Sequence, residues 1–149
     1  MTVMRRLRLA YSIMILLLAL TLTTASCTDP PASPTTNAPF SQTDLVIGTG
    51  AAIASGNTLT VDYTGWLYEA SAPDHKGLPF DSTLGKTPFV FALGSGQVIA
   101  GWEQGLPGMQ AGGVRRLVIP PSLGYGATRS GAIPPNSTLV FDITLDSFQ

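Results

Sequence analysis

The sequence predicts an α+β domain in which an antiparallel β-sheet curls around one short α-helix. Three observations lead to this prediction. Several segments within residues 44–149 alternate apolar and polar side chains, as strands with one buried face do. Turns rich in Gly and Pro separate these segments, and one stretch, residues 97–104, has the pattern of a helix. A sheet with one apolar face and a single helix is most simply buried as two packed layers.

Composition limits the possible functions. The chain has 149 residues, of which 44% are hydrophobic and 11% charged, with a formal net charge of -1, so one domain with a substantial core is expected. Basic residues cluster only near the N-terminus, and we therefore expect no nucleic-acid partner. One Cys and one His exclude an internal disulfide and argue against a His-based metal site. We expect no metal and no cofactor.

The N-terminus has the pattern of a targeting segment. Three arginines within residues 5–8 precede an apolar run, residues 9–22, that is shorter than the roughly 20 residues needed to span a bilayer. The following Thr24-Ala25-Ser26-Cys27 resembles a bacterial lipobox, in which a lipidated Cys becomes the new N-terminus. We therefore predict a lipoprotein-type signal peptide over residues 1–26 and lipidation of Cys27. A simple secretory signal that leaves Cys27 as a free thiol, and an uncleaved anchor, are the alternatives.

Residues 27–43 are predicted to be a linker. Four prolines lie here among Ser, Thr, Ala and Asn, a composition that cannot bury a core and favours a disordered, partly polyproline spacer. Extended at about 3.1 Å per residue, this spacer would reach roughly 50 Å. The folded domain, predicted over residues 44–149, would then stand away from a membrane surface.

The first half of the domain contains two predicted strands and a loop. Residues 44–47 form a short edge-strand candidate that glycines close. Residues 58–67 alternate throughout, with Leu59, Val61 and Tyr63 on the face predicted to be buried. Residues 68–79 carry Ser, Pro, Asp and Gly and are predicted to form a loop, in which His75 is expected to be exposed.

The second half supplies the helix and the remaining strands. A strand containing Phe89 and Phe91 leads through a Gly-Ser-Gly turn into the helix, which Gly105 and Pro107 end. Two further strands are predicted at residues 114–119 and 139–145, separated by a Gly- and Pro-rich loop. Arg115 and Arg116 are expected on an exposed face.

Trp102 lies in the only predicted helix. A Trp at this place is either the centre of the core or the floor of a pocket that opens into the core. For Phe91 we favour the core.

Several segments together resemble one known family, the FKBP-type peptidyl-prolyl isomerases, which also bind macrolide immunosuppressants. The resemblance covers residues 45–149. It rests on segments that occur in the family's order at nearly its spacing: Tyr63-Thr64-Gly65, Phe80-Asp81-Ser82, Pro88-Phe89-Val90-Phe91, Leu93-Gly94, Val98-Ile99-Ala100-Gly101-Trp102-Glu103, Tyr125-Gly126-Ala127, Ile133-Pro134-Pro135 and Leu139-Val140-Phe141-Asp142.

The resemblance implies an FKBP-like fold and a site for each matching residue. Trp102 would form the floor of a pocket. The walls would be Tyr63, Phe89, Val98, Ile99 and Phe141, and the rim Phe80, Asp81 and Tyr125, with Ile133 on the loop above. Catalytic roles are expected for Asp81, Tyr125, Trp102 and Phe141. The backbone N–H of Ile99 and the hydroxyl of Tyr125 would donate hydrogen bonds to ligand carbonyls.

The implied function is cis-trans isomerisation of X–Pro bonds in exported or cell-envelope proteins, without a covalent intermediate. Proline-containing polypeptides are the expected partners, together with macrolides of the tacrolimus and rapamycin class. A monomer is expected, exported and held at the bacterial cell envelope through lipidated Cys27, with a secreted or periplasmic protein as the alternative. A different class of function remains open: a proline-peptide-binding or chaperone module with little turnover.

Overall fold

The computed structural model describes residues 38–149. Its elements, numbered in chain order, are β1 (Ser41–Val46), β2 (Thr49–Ala52), β3 (Thr58–Tyr68), β4 (Lys76–Ser82), β5 (Phe89–Ala92), α1 (Ala100–Gly105), β6 (Gln110–Ala111), β7 (Val114–Ile119) and β8 (Leu139–Phe148). The main sheet has the order β1-β7-β8-β3-β4, and β5 also pairs with β3. All its pairings are antiparallel. This architecture confirms the predicted fold class.

The strand β3 organises the sheet because it pairs along both edges. On one side it runs beside β8 from Leu59 opposite Phe148 to Leu67 opposite Leu139. On the other side β5 pairs with its first half and β4 with its second half. The predicted alternation is present, since Leu59 and Val61 are fully buried whereas their neighbours are only partly so.

The core lies between one face of the sheet and α1. Trp102 and Leu106 face the inward side chains of β7 and β8, among them Leu117, Ile119 and Ile143. A Cβ at Gly101 would come within 2.5 Å of the Ile119 side chain. The helix can therefore lie this close to the sheet only because its first turn carries a glycine.

Arg115 is not on an exposed face, and the prediction was wrong for this residue. Arg115 is 5% exposed: its guanidinium pairs with Asp44 at 2.6 Å and donates to the carbonyl oxygens of Gly105 and Pro107. It thereby satisfies a carbonyl at the C-terminus of α1, where a cation is favoured. Arg116 lies on the outer face and bonds Asp142 at 2.7 and 2.9 Å. Tertiary partners hold both side chains in place.

Two further elements differ from the predictions. Residues 76–79, expected in a loop, belong to β4, because Lys76 and Pro79 pair with Tyr68 and Trp66 across a hairpin. A small second sheet of β2 and β6 was not predicted at all. The first strand begins at Ser41, and Phe40 packs against the core, so the folded part begins ahead of the predicted boundary at residue 44.

The predicted signal peptide, Cys27 and most of the predicted linker lie outside the described residues. Within residues 38–149, no helix has the length and apolar character needed to cross a bilayer.

Candidate active site

Trp102 forms the floor of a cavity of about 310 Å³. Its indole is 4% exposed, and it meets the rings of Tyr63 and Phe141 edge-on, with centroids 5.2 and 5.3 Å away. Phe91 packs behind it and is 2% exposed, as predicted for a core residue. Trp102 therefore belongs both to the core and to the surface of the cavity. Among the described residues, its Nε1 is buried without a hydrogen-bond partner.

The walls of the cavity come from three strands and from the segment before α1. Tyr63 projects from β3, Phe89 from β5 and Phe141 from β8, while Val98 and Ile99 immediately precede α1. Phe89 is 38% exposed and Phe141 only 3%, so the inner wall of the cavity is buried and its mouth is open to solvent. The cavity brings together every predicted wall residue.

Gly65 on β3 allows two of the rings to approach each other. A Cβ at this position would lie 2.6 Å from the Phe80 ring and 2.8 Å from the Phe141 ring. Contacts this short are not tolerated by a real side chain, so a larger residue would push the two rings apart. Phe80 and Phe141 meet edge-on with centroids 5.5 Å apart.

The rim carries a hydrogen-bonded pair. The hydroxyl of Tyr63 donates to Oδ2 of Asp81 at 2.5 Å, and Oδ1 of Asp81 accepts the N–H of Ser82 at 2.8 Å. Burial and the hydrogen bond to Asp81 raise the pKa of Tyr63 well above its ordinary value. The Tyr63 hydroxyl therefore remains a donor, fixed towards the carboxylate at the cavity edge.

The two loop residues predicted for the site are placed differently. Tyr125 is 38% exposed and lines the mouth of the cavity, as predicted. Ile133 is 5% exposed and packs into the core, so it does not line this cavity. It borders an adjoining hollow of about 190 Å³ that shares Phe80, Asp81 and Tyr125.

Sequence reasoning missed Gly96 and Gln97 as residues that line the cavity. They belong to the turn that precedes α1. Glu103, on the helix, holds this turn: its carboxylate accepts the N–H groups of Gly94 at 2.5 Å and Gly96 at 2.9 Å. The side chain of Gln97 closes the turn further by accepting the N–H of Ala92 at 3.0 Å. In the sequence, an acidic residue on the helix shortly after the Gly-Ser-Gly turn would have indicated that the helix holds this turn.

The backbone of one lining residue, Ile99, also carries an unused donor within the described part of the chain. The carbonyl of Ile99 accepts hydrogen bonds from the N–H groups of Trp102 and Glu103, whereas its own N–H has no acceptor within residues 38–149. An apolar ring on the Trp102 floor could therefore have an adjacent carbonyl bound by this N–H. No group of three or more His, Cys, Asp or Glu residues in the described part of the chain could hold a metal ion.

A curled sheet over one short helix, with an aromatic cavity between them, defines a domain whose cavity has room for an apolar ring beside hydrogen-bonding groups. The comparisons with known proteins make this class specific. The family model described as "FKBP-type peptidyl-prolyl cis-trans isomerase" matches residues 50–146.

Individual relatives agree with the family match. An "FK506-binding protein" of Neisseria meningitidis serogroup A is 45% identical over 104 residues, which cover 68% of this chain and 89% of that protein. "FK506-binding protein 2B" of Rhizopus delemar is 53% identical over 93 residues, covering 61% of this chain and 42% of that protein.

Among solved structures, AtFKBP13 has a TM-score of 0.63 at 35% identity and matches 74% of this chain and 93% of its own. FkpA from Escherichia coli has a TM-score of 0.62 at 38% identity, covering 74% of this chain and 48% of its own. The chain belongs to the FKBP-type peptidyl-prolyl cis-trans isomerase family.

Proposed function

We propose that this chain isomerises X–Pro bonds in exported or cell-envelope proteins, and that the aromatic cavity is where it does so. One observation carries the proposal: the almost fully buried indole of Trp102 forms the floor of a cavity that is also lined by Ile99, whose N–H has no acceptor within residues 38–149. A proline ring and its preceding carbonyl have the shape and polarity that such a site would accept.

The reaction requires no broken covalent bond. Rotation about the peptide bond faces a barrier of about 18–20 kcal/mol because resonance gives the bond double-bond character. Without a catalyst the step takes tens to hundreds of seconds. The twisted transition state has lost this resonance, so a site that removes water from the carbonyl and fits the twisted form lowers the barrier.

The predicted site residues would have different roles. Trp102 and Phe141 would enclose the proline ring, whereas Asp81 and Tyr125 would tune the polar rim and contact the carbonyls. The remaining substrate-binding side chains are Tyr63, Phe80, Phe89, Val98 and Ile99. Ile133 would act indirectly, by supporting the loop beside the rim.

A pair of tryptophan variants tests the proposal. Trp102→Ala removes the floor of the cavity, and Trp66→Ala removes an indole of equal size from the outer face, where Lys76 lies over its ring at 4.2 Å. We expect Trp102→Ala to lower kcat/KM on a proline peptide by on the order of 100-fold and Trp66→Ala to leave it nearly unchanged. Since truncating a core aromatic costs about 3–5 kcal/mol of stability, folding is checked first by circular dichroism.

Normal turnover by a folded Trp102→Ala protein would contradict the assignment of the cavity. Tight binding of proline peptides by the natural protein without turnover would instead identify a binding or chaperone module. The same cavity is proposed to bind macrolides of the tacrolimus and rapamycin class, since the relatives named above are FK506-binding proteins. Competition by such a macrolide in the isomerisation assay tests this part.

The proposed cellular location is the bacterial cell envelope. Thr24-Ala25-Ser26-Cys27 follows a basic and apolar leader, and it precedes a proline-rich spacer. One acyl chain anchors only marginally, so stable retention requires two or more chains on Cys27. We expect the mature protein to sediment with membranes and Cys27→Ser to abolish this. An unmodified N-terminus within the spacer, found by mass spectrometry, would mean secretion and would leave the isomerase proposal intact.

A further inference from the structure

Thr83 fills a gap in the sheet directly behind the rim of the cavity. The strand β4 pairs with β3 as far as Ser82 opposite Thr64, and β5 resumes with Phe89 opposite Val61. Between these pairs, Asp62 and Tyr63 have no strand beside them on this edge. Thr83 occupies the gap and is 8% exposed. It does not line the cavity.

Thr83 forms hydrogen bonds with both the N–H and the carbonyl of Tyr63. Its N–H donates to the carbonyl of Tyr63 at 3.0 Å, and its Oγ1 accepts the N–H of Tyr63 at 2.9 Å. The Thr83 hydroxyl then donates to Oδ1 of Asp62 at 2.7 Å. The carbonyl oxygen of Tyr63 is a second acceptor, at 3.4 Å, but Asp62 is much closer. Asp62 on the outer face therefore mainly orients the hydroxyl that receives the N–H of Tyr63.

Thr83 is also linked to Asp81, the partner of Tyr63 at the rim. Asp81 lies two positions before Thr83, and its carboxylate accepts both the Tyr63 hydroxyl and the N–H of Ser82. The hydroxyl of Ser82 contacts that of Thr64 at 2.8 Å and accepts the N–H of Leu84 at 3.1 Å. Both partners of the rim pair are therefore held by the segment that Thr83 anchors.

We propose that Thr83 and Asp62 are positioning residues that set the geometry of the Tyr63–Asp81 pair at the rim of the cavity. The inference rests on the proposed catalytic use of that cavity. Neither residue contacts the substrate. Their hydrogen bonds fix where β3 presents the Tyr63 ring, and a small displacement of a site group has a large effect on rate.

Two substitutions at one position separate the hydroxyl from the bulk of the side chain. Thr83→Val keeps the shape but leaves the N–H of Tyr63 without its acceptor, whereas Thr83→Ser keeps the hydroxyl. We expect Thr83→Val to lower kcat/KM by roughly tenfold, mainly through kcat, and Thr83→Ser to restore it to within about twofold of the natural protein. Asp62→Ala, on the partly exposed outer face, provides a second variant in case Thr83→Val fails to fold. We expect it to lower kcat in the same direction.

A Tyr63→Phe background distinguishes positioning from a general loss of stability. If Thr83 acts through the rim pair, Thr83→Val has little further effect once the Tyr63 hydroxyl is absent. An equal loss in both backgrounds, or full activity of a folded Thr83→Val protein and of Asp62→Ala, would overturn the inference.

A measurement without turnover separates this inference from the function on which it rests. The alkaline absorbance titration of Tyr63 reports its bond to Asp81, and we expect Thr83→Val to move that titration to lower pH. An unmoved titration overturns the positioning role. Absence of isomerase activity in the natural protein, with a titration that Thr83→Val does move, overturns only the catalytic assignment and leaves the positioning role supported.

Discussion

At the scale of single residues, the least conventional group in the site is the Tyr63 hydroxyl. It is partly buried and donates at 2.5 Å to Asp81. Burial comes first among the causes that raise the pKa of Tyr63, followed by the hydrogen bond and charge of Asp81 and the proximity of Tyr125. A raised pKa favours the protonated form in the folded state. Its contribution to stability is therefore complete below the ordinary tyrosine value, near pH 10, and is lost only as the pH rises through the higher folded value.

The raised pKa of Tyr63 leads to a prediction for alkaline solution. We expect the Tyr63 hydroxyl to remain protonated through pH 10 and to titrate at a higher pH than an ordinary tyrosine. Absorbance at alkaline pH measures the transition, and its absence in Tyr63→Phe assigns it. A full set of tyrosines titrating near the ordinary pKa would contradict the prediction.

At the scale of elements, α1 supports the site through more than its Trp. Glu103, one position after Trp102, bonds two N–H groups of the turn over Gly94–Gly96. Bonds to a charged acceptor are stronger than those to a neutral one. The turn leads into Gln97 and Val98 of the cavity wall. The helix therefore also holds in place the next residue, Ile99, whose N–H has no acceptor within residues 38–149.

Glu103→Ala should therefore weaken binding as well as stability. We expect roughly tenfold lower affinity for a proline peptide and about 1–3 kcal/mol lower unfolding free energy, because two N–H groups lose their acceptor. Gln104→Ala, at the exposed neighbouring position of the same helix, is the matched control. Titration calorimetry and urea unfolding measure the two effects. Lower stability with unchanged affinity would limit Glu103 to a structural role.

The elements also show what the sequence could predict. The strands β3 and β8 were predictable because each has one buried face and alternates along its length. The strand β4 was not, since Leu78 and Pro79 are exposed on an edge and give no period-two pattern. The buried position of Arg115 depends on Asp44 and on two carbonyl groups around the end of α1, partners that no local pattern reveals.

The residues of the site were likewise predictable only in part. Its aromatic members were identified through a family resemblance carried by short contiguous motifs, and all of them meet at one cavity. Ile133 lies beside the rim residues but does not line the cavity, because a loop residue can turn inward with its neighbours exposed, which a motif does not specify. The part played by Thr83 was not predicted, since it arises from a gap between two strands that only the register defines.

At the scale of the whole molecule, an ion cluster joins distant parts of the chain across the outer face of the sheet. Asp142 on β8 bonds Arg116 on β7 and, at 2.6 Å, Lys76 on β4, while Arg116 also reaches Asp74 at 3.1 Å. Burial opposes the charged form of Asp142, but the bonds and charges of Arg116 and Lys76 outweigh it and lower its pKa. The stabilisation is present above the unfolded pKa, near 3.9, and is lost as the pH falls through the lower folded value.

We therefore expect stability to be nearly constant between pH 7 and pH 5 and to fall below about pH 4. Asp142→Asn should destabilise the protein at neutral pH by about 1–3 kcal/mol and flatten the acid dependence, since the charged partner of two cations is removed. Asp146→Asn, on the same strand, provides a contrast: burial and the charge of Asp62 raise the pKa of Asp146, so its removal should steepen the acid dependence instead of flattening it. Thermal unfolding across this range measures both slopes, and equal slopes for Asp142→Asn and the natural protein would contradict the expectation.

The pairing of β3 with β8 has a consequence for the order in which the molecule can form. Leu59 lies opposite Phe148, so the centre of the sheet joins segments from the two ends of the described chain. Contacts so distant in sequence make folding slow. Phe141 comes from this last strand, and the cavity therefore has no inner wall while that strand is still emerging from the ribosome. The domain therefore leaves the ribosome without a complete cavity, and catalysis begins only after β8 has paired with β3.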